Sequence, residues 1–363
     1  MRILCTSSPG LGHLFPMVST LWALRAAGHE VVVATSSGGA RAAAAAGLPV
    51  LEAAPGADWA AEIDRAAAAT PHTPQPGRHP GNVHLGASMF ATGADLMVER
   101  TLAFARSFRP DLVVHEQCDA TGPAVAAALG VPLVVHGLGF HPALDFYELI
   151  VAARARQLPV AAPALTVDLA PPSLNGGLVG VPVRAVPYQG GAVLPDWLLT
   201  PPEHPRVVAT LGTVFADFLG LAPWRAILAA AAELDVELVL AGAPEGLGEL
   251  PANVRSVGYL PLSALLATSS AVVHHAGSGS TLAALAAGVP QLLWPQGADQ
   301  FFNTDQLVAR GAALTAEDGG VTAEHLHRVL RDERLAAVAA EVRVELHAMP
   351  SPAELVPQLA KLV

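Results

Sequence analysis

Short runs of apolar residues alternate with helical patterns along most of the chain, and this alternation restricts the fold more than any other feature. Runs such as Glu30–Thr35 and Leu112–His115 lack the polar alternate positions of a half-exposed strand, so they indicate strands buried on both faces of a parallel sheet. A glycine repeatedly ends a helical segment just before the next strand, at Gly28, Gly47, Gly130, Gly288 and Gly311. The cycle predicts an α/β fold built from doubly wound parallel sheets.

The cycle runs twice along the chain. Its 363 residues exceed the roughly 250–300 at which single cores stop growing, which favours two domains. The stretch Ala161–Pro205 is rich in Pro and Gly, and a new strand begins at Arg206. We therefore predict one domain at residues 1–190 and a second at 206–345, with a linker at 191–205 between them. A C-terminal helix is predicted at 346–363.

Composition excludes several classes of function. The formal net charge of −11 disfavours nucleic acid and anionic membranes as partners, and no uninterrupted apolar stretch is long enough to span a bilayer. The single lysine, Lys361, leaves no P-loop, and the two cysteines, Cys5 and Cys118, give neither a disulfide framework nor a zinc site. We expect no metal ion, and because the first strand follows the initial methionine directly, we expect a cytoplasmic protein.

The segment that follows the strand at Val272 is the richest in binding chemistry. Its Gly/Ser loop leads into a helix, and a helix N-terminus offers unpaired N–H groups and a dipole that favours an anion. We predict a phosphate site with His275 as an added donor and with a loop formed by Gly277, Ser278, Gly279, Ser280 and Thr281. The alternative is an ordinary capped helix that follows core histidines.

Three further strand ends carry polar or aromatic residues. Asp299 and Gln300 offer a carboxylate and an amide to vicinal hydroxyl groups of a sugar, although Asp299 could instead be a helix N-cap. Gly212 and Thr213 follow the strand that begins the second domain and could reach phosphate or ribose. Tyr259 could stack on a nucleobase, or could be a half-buried core tyrosine.

In the first domain, the loop after the first strand leads to His13, a suitable position for a general base. The strand Leu112–His115 ends in two carboxylates, Glu116 and Asp119, and either could take the second imidazole N–H. Without further context, His13 could equally be a cap or core histidine.

A hydrophobic acceptor would need an apolar lining in the first domain. Candidate lining residues, each of which could also be ordinary core, are Trp59, Met89, Phe90, Phe140, His141 and Phe146. Part of this set lies in Thr70–Gly93, a segment without a clear period that we expect to be functional or mobile.

Two segments resemble one family specifically. HHAGSGSTLAALAAGVPQLLWPQGADQ is similar to the donor-binding signature of the family 1 glycosyltransferases, and GLGHLFPMVSTLWALRAAGHEVVVAT matches that family's first βα unit. The likeness is strongest to actinobacterial enzymes that glycosylate natural products. It implies the GT-B fold, with two Rossmann-like domains that face a cleft and a C-terminal helix that crosses back to the N-terminal domain. It also implies an acceptor-binding first domain and a donor-binding second domain.

The resemblance assigns a role to most of the candidates. His275 would contact the donor pyrophosphate, together with Gly277, Ser280 and Thr281. Asp299 and Gln300 would bind the sugar. Tyr259 would lie near the nucleobase and Thr213 on the donor side.

In the first domain, the resemblance makes His13 the base. Glu116 falls where the family often has an orienting aspartate, and because glutamate is one methylene longer, Asp119 stays open as the partner.

The implied activity is inverting transfer of a sugar, a deoxyhexose from a TDP-sugar, to a small hydrophobic or aromatic aglycone, without metal or cofactor. An NDP-sugar epimerase or hydrolase on the same fold, and a non-catalytic nucleotide-binding partner, are the alternatives. The choice between TDP and UDP, between O-, N- and C-transfer, and between monomer and homodimer stays open.

Overall fold

Two parallel sheets form the framework of the protein, each in its own unit of the chain. The computed structural model describes residues 1–69, 81–140, 145–174, 180–212, 220–316 and 319–363, with the backbone alone at 82 and 145. The ranges of unit 1 are Met1–Ala170, Gly177–Val186 and Met349–Val363, and those of unit 2 are Pro171–Gly176 and Pro187–Ala348.

Unit 1 is built around a seven-stranded sheet. Its strands are β1 (Arg2–Thr6), β2 (Glu30–Thr35), β3 (Val50–Glu52), β4 (Leu112–Glu116), β5 (Leu133–His136), β6 (Leu165–Asp168) and β7 (Val181–Pro182). The helices that precede unit 2 in the chain are α1 (Leu11–Ala26), α2 (Ser37–Ala45), α3 (Trp59–Ala69), α4 (Gly81–Phe108), α5 (Thr121–Leu129) and α6 (Asp145–Ala153). The strand order is β3-β2-β1-β4-β5-β6-β7, all parallel.

Unit 2 repeats this plan on a six-stranded sheet. Its strands are β8 (Arg206–Thr210), β9 (Glu237–Ala241), β10 (Val254–Val257), β11 (Ala271–His274), β12 (Gln291–Leu293) and β13 (Ala313–Thr315). Its helices are α7 (Ala222–Ala232), α8 (Leu262–Leu266), α9 (Ser278–Ala287), α10 (Gln300–Arg310), α11 (Ala323–Arg331) and α12 (Glu333–Ala348). The order is β10-β9-β8-β11-β12-β13, again all parallel.

The direction of strand order reverses once in each sheet. In unit 1 this happens between β1 and β4, where Thr6 pairs with His115, and in unit 2 between β8 and β11, where Thr210 pairs with His274. Ligands of open α/β sheets bind at such switch points, beyond the carboxyl ends of the strands. The predicted doubly wound α/β fold is therefore confirmed, and its two switch points are where the candidate residues must be sought.

Helix α1 runs from Leu11 and contains Pro16, although proline is favoured at the first position of a helix. Proline has no N–H for the carbonyl group of Gly12, which costs one helical hydrogen bond. The start at Leu11 still buries Leu14 as well as Met17, and it places His13 in the first helical turn.

Helix α4 begins inside the segment predicted to lack a period. Residues 70–80 lie outside the described part of the chain, whereas the helix runs from Gly81 to Phe108. Its buried face carries alanines at helical spacing, Ala87, Ala91 and Ala94. Alanine adds little to a hydrophobic pattern, so this stripe gave no clear signal.

The last helix, α13 (Pro352–Leu359), belongs to unit 1, where it packs against α1. The backbone N–H of Arg184 donates to the carbonyl oxygen of Pro350 at 2.7 Å, which fixes the approach to this helix. Within the described ranges, none of the helices is both long and apolar enough to cross a membrane.

The boundary between the units differs from the linker predicted at 191–205. The division falls between Val186 and Pro187. Leu198 is buried in the core of unit 2, and the ring of Trp197 lies 5.0 Å from the guanidinium carbon of Arg206. These contacts tie the Pro-rich segment to unit 2, which is why it is part of that unit.

Candidate active site

The switch point of unit 1 brings His13 to Glu116. The Nδ1 atom of His13 lies 3.3 Å from Oε1 of Glu116; the Glu116 side chain is fully buried and the His13 side chain is 23% exposed. The two side chains come from α1, which follows β1, and from the end of β4, the strand that pairs with β1. With Nδ1 turned to the carboxylate, Nε2 is the ring nitrogen that can take a proton from a bound acceptor.

Backbone groups hold the Glu116 carboxylate in place. Its Oε2 accepts a hydrogen bond from the N–H of Cys118 at 2.6 Å, and its Oε1 accepts one from the N–H of Ser8 at 3.3 Å. Burial acts to raise the pKa of Glu116, but His13 and these N–H donors outweigh it, so the pKa lies below its usual range. The carboxylate is therefore ionised and can stabilise a positive charge on the imidazole.

Asp119 does not face His13. Its carboxylate accepts hydrogen bonds from the hydroxyl of Thr6 at 2.5 Å and from the N–H groups of Thr121 and Gly122, both at 3.0 Å. Asp119 thus ties β1 to the first turn of α5, and a carboxylate at a helix N-terminus is favoured there. Of the two predicted partners of His13, the structure brings only Glu116 to the imidazole.

Phe90, a predicted acceptor-lining residue, lies beside His13, and Phe146, another of them, packs against Phe90. The ring centroid of Phe90 is 4.9 Å from that of His13, and Phe146 contacts Phe90 edge to face at 5.9 Å. A methyl group added at Gly86 would lie 3.4 Å from the Phe146 ring, so this glycine leaves that ring room. These aromatic rings form an apolar wall next to the imidazole.

The other acceptor candidates have different surroundings. Trp59 packs in a small cluster with Met97 and donates a hydrogen bond to the Ser36 hydroxyl at 3.4 Å. Phe140 is buried, and Met89 lies half-buried on α4. His141 lies outside the described residues.

At the switch point of unit 2, the imidazole of His275 lies between two glycines. A Cβ atom at Gly277 would come within 2.4 Å of Nε2 of His275, and one at Gly212 within 2.6 Å of the same atom. Gly212 also adopts a φ of +77°, a conformation that favours glycine. Both positions must therefore lack a side chain for His275 to keep this orientation.

His275 is neutral at ordinary pH. Burial lowers the pKa of its imidazole to about 4, although Asp299 and the backbone of Thr210 act to raise it. A neutral imidazole carries one N–H donor and one acceptor. His275 thus offers a hydrogen-bond donor without carrying a positive charge. Thr213, predicted for the same site, lies outside the described residues.

Helix α9 presents its N-terminus next to His275. Gly277 is the N-cap residue, and the first turn contains no acidic residue. Gly279 is exposed and Ser280 half-buried, whereas Thr281 is fully buried and donates its N–H to the carbonyl of Gly277 at 3.0 Å. The first-turn N–H groups suit an anion, and the hydroxyl oxygen of Thr281 is buried without a hydrogen-bond partner among the described residues.

Asp299 forms a hydrogen-bonded cluster with the start of α9. Its Oδ2 accepts a hydrogen bond from the hydroxyl of Ser278 at 2.8 Å and one from Nδ2 of Asn303 at 2.9 Å. Ser278, predicted as a phosphate ligand, thus directs its hydroxyl to this carboxylate. Asp299 is the N-cap residue of α10, as the alternative expected, but its side chain makes no capping hydrogen bond to the backbone of that helix.

Gln300 is held by the loop that precedes it. Its Oε1 accepts hydrogen bonds from the N–H groups of Gln296 at 2.7 Å and Gly297 at 3.2 Å. The amide nitrogen is then the end of the side chain that can act on a ligand, as a donor.

Tyr259 follows β10 and is 54% exposed. The ring packs over Gly190, where a Cβ atom would lie 3.2 Å from Cε1 of the tyrosine. Gly190 thus supports the ring while much of it stays open, which suits stacking on a nucleobase.

The sequence did not predict two groups that support these sites. The N–H of Ser8 binds Glu116, and a backbone donor leaves no mark in a residue pattern. Asn303 binds Asp299, and its spacing of four residues on a helix could have indicated the contact. In the described ranges, His13, Glu116 and Cys118 are a group whose potential metal-ligand atoms lie within 4.8 Å of one another.

Solved structures match this architecture over the whole chain. The glycosyltransferase SnogD from Streptomyces nogalater is 40% identical with a TM-score of 0.85, and the match covers 100% of this chain and 99% of that one. The glycosyltransferase SsfS6 from Streptomyces sp. SF2575, complexed with thymidine diphosphate, is 29% identical with a TM-score of 0.86 and 99% coverage of both chains. This chain is a nucleotide-sugar-dependent glycosyltransferase of the GT-B fold.

The family follows from the sequence comparisons. The models for the N- and C-terminal domains of erythromycin biosynthesis protein CIII-like proteins match residues 22–212 and 225–362. The elloramycin glycosyltransferase ElmGT of Streptomyces olivaceus is 39% identical, over 99% of this chain and 97% of that protein. The chain therefore belongs to the erythromycin biosynthesis protein CIII-like family.

Proposed function

We propose that the chain transfers a deoxyhexose from a TDP-sugar to a small aromatic natural-product aglycone, with inversion at the anomeric carbon and with His13 as the general base. One observation carries the proposal. The imidazole of His13, on the first turn of α1, lies 3.3 Å from the fully buried carboxylate of Glu116. A base paired with a buried carboxylate is a device for proton removal.

The reaction starts from an acceptor hydroxyl group next to His13. Its proton moves to Nε2 of His13 while its oxygen forms a bond to the anomeric carbon of the sugar. The bond from that carbon to the diphosphate breaks, and the electron pair leaves with TDP. Attack opposite the leaving group inverts the anomeric centre. Glu116 stabilises the imidazolium that forms, and such a base contributes about 10²–10⁴-fold to the rate.

Unit 2 supplies the donor site in this proposal. The N–H groups at the start of α9 and the neutral imidazole of His275 bind the diphosphate, whose charge grows as the sugar leaves. Asp299 and Gln300 hydrogen-bond to the sugar, and Tyr259 stacks on the base. The solved complex of the relative SsfS6 with thymidine diphosphate supports TDP as the nucleotide.

The acceptor is an aromatic aglycone because of the wall beside the base. Phe90 and Phe146 lie edge to face, and Phe90 contacts the His13 ring. Such rings favour a planar aromatic acceptor. The relative ElmGT is named as an elloramycin glycosyltransferase, which supports a natural product as acceptor.

We propose that the reaction needs neither a metal ion nor a cofactor. The chain has no D-x-D motif to hold a metal on the diphosphate. Neutral and dipolar donors at α9 take that role instead.

Binding and turnover test the proposal in sequence. Calorimetric titration with TDP and UDP is compared between wild type and His275→Ala, and TDP is expected to bind wild type more tightly. Transfer from TDP-deoxyhexoses to a panel of aromatic phenols is then followed by chromatography, with the anomeric configuration read by NMR. His13→Gln should keep TDP binding and lose transfer.

Three outcomes would contradict parts of the proposal. Sugar consumption that needs no acceptor would indicate a hydrolase or an epimerase. A retained anomeric configuration would exclude direct displacement. TDP binding without turnover on any acceptor, unaffected by His13→Gln, would favour a non-catalytic nucleotide-binding protein.

A further inference from the structure

Asn303 lies at the centre of the hydrogen bonds that join the two donor-binding segments of unit 2. The side chain is fully buried on α10, one turn after Asp299. Its Nδ2 donates to Oδ2 of Asp299 at 2.9 Å and to the carbonyl oxygen of Ala276 at 2.8 Å, and lies 3.2 Å from the hydroxyl oxygen of Ser278.

The chemistry of these partners fixes the orientation of the amide. A carboxylate and a carbonyl oxygen can only accept, so the end of Asn303 that faces them must be the nitrogen. The reverse orientation would place Oδ1 against both oxygens. Asparagine is therefore required for its donor group, and aspartate, although the same size, would place a carboxylate there.

The backbone carbonyl that Asn303 holds belongs to a strained residue. Ala276 has a φ of +64°, and Ala298, directly before Asp299, has a φ of +53°. Left-handed conformations at residues other than glycine are uncommon and persist where surrounding contacts fix them. The N–H of Ala276 donates to Nδ1 of His274 at 3.1 Å, so Ala276 is fixed on both sides.

We propose that Asn303 is a positioning residue for the donor sugar, which it serves by locking Asp299 to the Ala276–Ser278 segment. This inference rests on the proposed role of Asp299 toward the sugar. Two donors, Ser278 and Asn303, occupy Oδ2, so Oδ1 is the oxygen directed to sugar hydroxyl groups. The same lock sets the distance between the sugar-binding carboxylate and the start of α9, where the diphosphate binds.

The test separates sugar recognition from nucleotide binding. For Asn303→Ala, we expect kcat/KM for the TDP-sugar to fall about 10-fold, as for the loss of a hydrogen bond to a charged group, while TDP affinity changes by less than about threefold. Asn303→Asp should be worse than Asn303→Ala because its carboxylate repels Asp299. Leu307→Ala changes a buried residue one turn further along α10 and serves as the control for general loosening of the helix. It should leave the ratio of kcat/KM for the TDP-sugar to TDP affinity unchanged.

A double-mutant cycle with Asp299→Ala gives the decisive comparison. In the Asp299→Ala background, Asn303→Ala should cost less than about threefold, because the carboxylate that it positions is gone. Equal costs in both backgrounds, or a loss in TDP affinity as large as the loss in kcat/KM, would overturn the inference. If Asn303→Ala does not fold, Ser278→Ala removes the other donor to Oδ2 and should lower kcat/KM for the TDP-sugar with little effect on TDP; no such effect would also overturn it.

Failure of the proposed function is visible in the wild type alone. If wild type binds no TDP-sugar, the donor assignment of Asp299 and this inference fall together. If wild type transfers the sugar and Asn303→Ala equals it, the inference alone is wrong.

Discussion

The two switch points of the molecule carry the same residue type in opposite chemical settings. In unit 1, His13 lies 3.3 Å from the buried carboxylate of Glu116. In unit 2, His275 lies between Gly212 and Gly277, and burial lowers the pKa of its imidazole to about 4. The first setting stabilises a positive imidazolium and the second disfavours it.

The sheet topology decides where each histidine lies, and the neighbouring side chains decide its chemistry. Both histidines follow the carboxyl end of a central parallel strand, because that is where a doubly wound sheet opens. Strand β4, which pairs with β1, ends in the carboxylate of Glu116, whereas strand β8, which pairs with β11, leads to Gly212. We therefore propose that unit 1 takes the proton and that unit 2 binds the leaving group, which is already charged.

Removal of the base should give the largest effect. His13→Gln is expected to lower kcat by about 10²–10⁴-fold, because no base then takes the proton from the aglycone hydroxyl group. TDP affinity should be unchanged. Glu116→Gln should cost less, because the imidazole remains but its charged partner is lost. Rapid-quench or steady-state kinetics, with calorimetric TDP titration in parallel, measure both variants.

The double variant sharpens this test. If the two side chains act as one unit, His13→Gln with Glu116→Gln should be no slower than His13→Gln alone. Fully multiplicative losses would mean that Glu116 acts independently of His13. A loss of TDP affinity in either variant would contradict the assignment of nucleotide binding to unit 2.

A methyl group added at Gly277 tests the role of His275 in unit 2. In Gly277→Ala, the new Cβ would come within 2.4 Å of the His275 imidazole, so the ring must move away. We expect TDP affinity to fall about 10-fold, the typical cost of a hydrogen bond to a charged group. Fluorescence or calorimetric titration with TDP measures it.

A matched control lies two residues away. Gly279→Ala adds the same methyl group in the first turn of α9, where nothing lies within 4 Å of it. Its TDP affinity should stay within about twofold of wild type, because alanine keeps the backbone N–H of this turn and the added methyl group meets no other group. Equal losses in the two variants would show that the helix start, and not the orientation of His275, sets the affinity.

Sequence patterns predicted the parts of this comparison that depend on topology. Buried strands, helix-ending glycines and the histidines after strand ends are local signals, and they led to both switch points. The choice between Glu116 and Asp119 was not local. Both follow β4, and only the packing of Asp119 on Thr6 and the start of α5 settles which one reaches His13.

The misses have a common physical cause. Helix α4 was obscured because its buried face consists of alanines. Asn303 was overlooked because its role depends on Ala276, which is distant in sequence. Contacts between segments decide both, and a single sequence carries them only weakly.

A smaller effect concerns stability in acid, where both units contain a buried histidine that must stay neutral. Burial lowers the pKa of His136 from 6.5 to about 4 and that of His274 from 6.5 to about 3. As the pH falls, these histidines bind protons in the unfolded chain before they do so in the folded protein. Their contribution to the free energy of unfolding is therefore complete above pH 6.5 and is lost as the pH falls toward 4. Urea unfolding should show a decline of roughly 1 kcal/mol per pH unit for each histidine.

Glu116 behaves differently and sharpens the contrast. Its pKa is lowered from 4.5, so its contribution is present above that value and is lost only as the pH falls through the lower pKa of the folded protein. His136→Gln and His274→Gln should each flatten the stability curve between pH 6.5 and 4, and Glu116→Gln should change it only below 4.5. An unaltered slope in both histidine variants would show that neither histidine is kept neutral by burial.

The smallest expected effect is that of metal removal. In the proposed donor site, N–H groups of α9 and neutral His275 bind the diphosphate. EDTA should therefore leave kcat and the KM for the TDP-sugar unchanged, and added Mg²⁺ should have no effect. A loss of kcat in EDTA that Mg²⁺ reverses would mean that a cation, and not the helix N-terminus, compensates the charge of the diphosphate.

A rise of kcat in EDTA would point to unit 1 instead, where His13, Glu116 and Cys118 have ligand atoms within 4.8 Å of one another. Trace zinc held by these three residues would block the base. Cys118→Ser separates the two cases, because it weakens a zinc site but leaves the donor site of unit 2 intact.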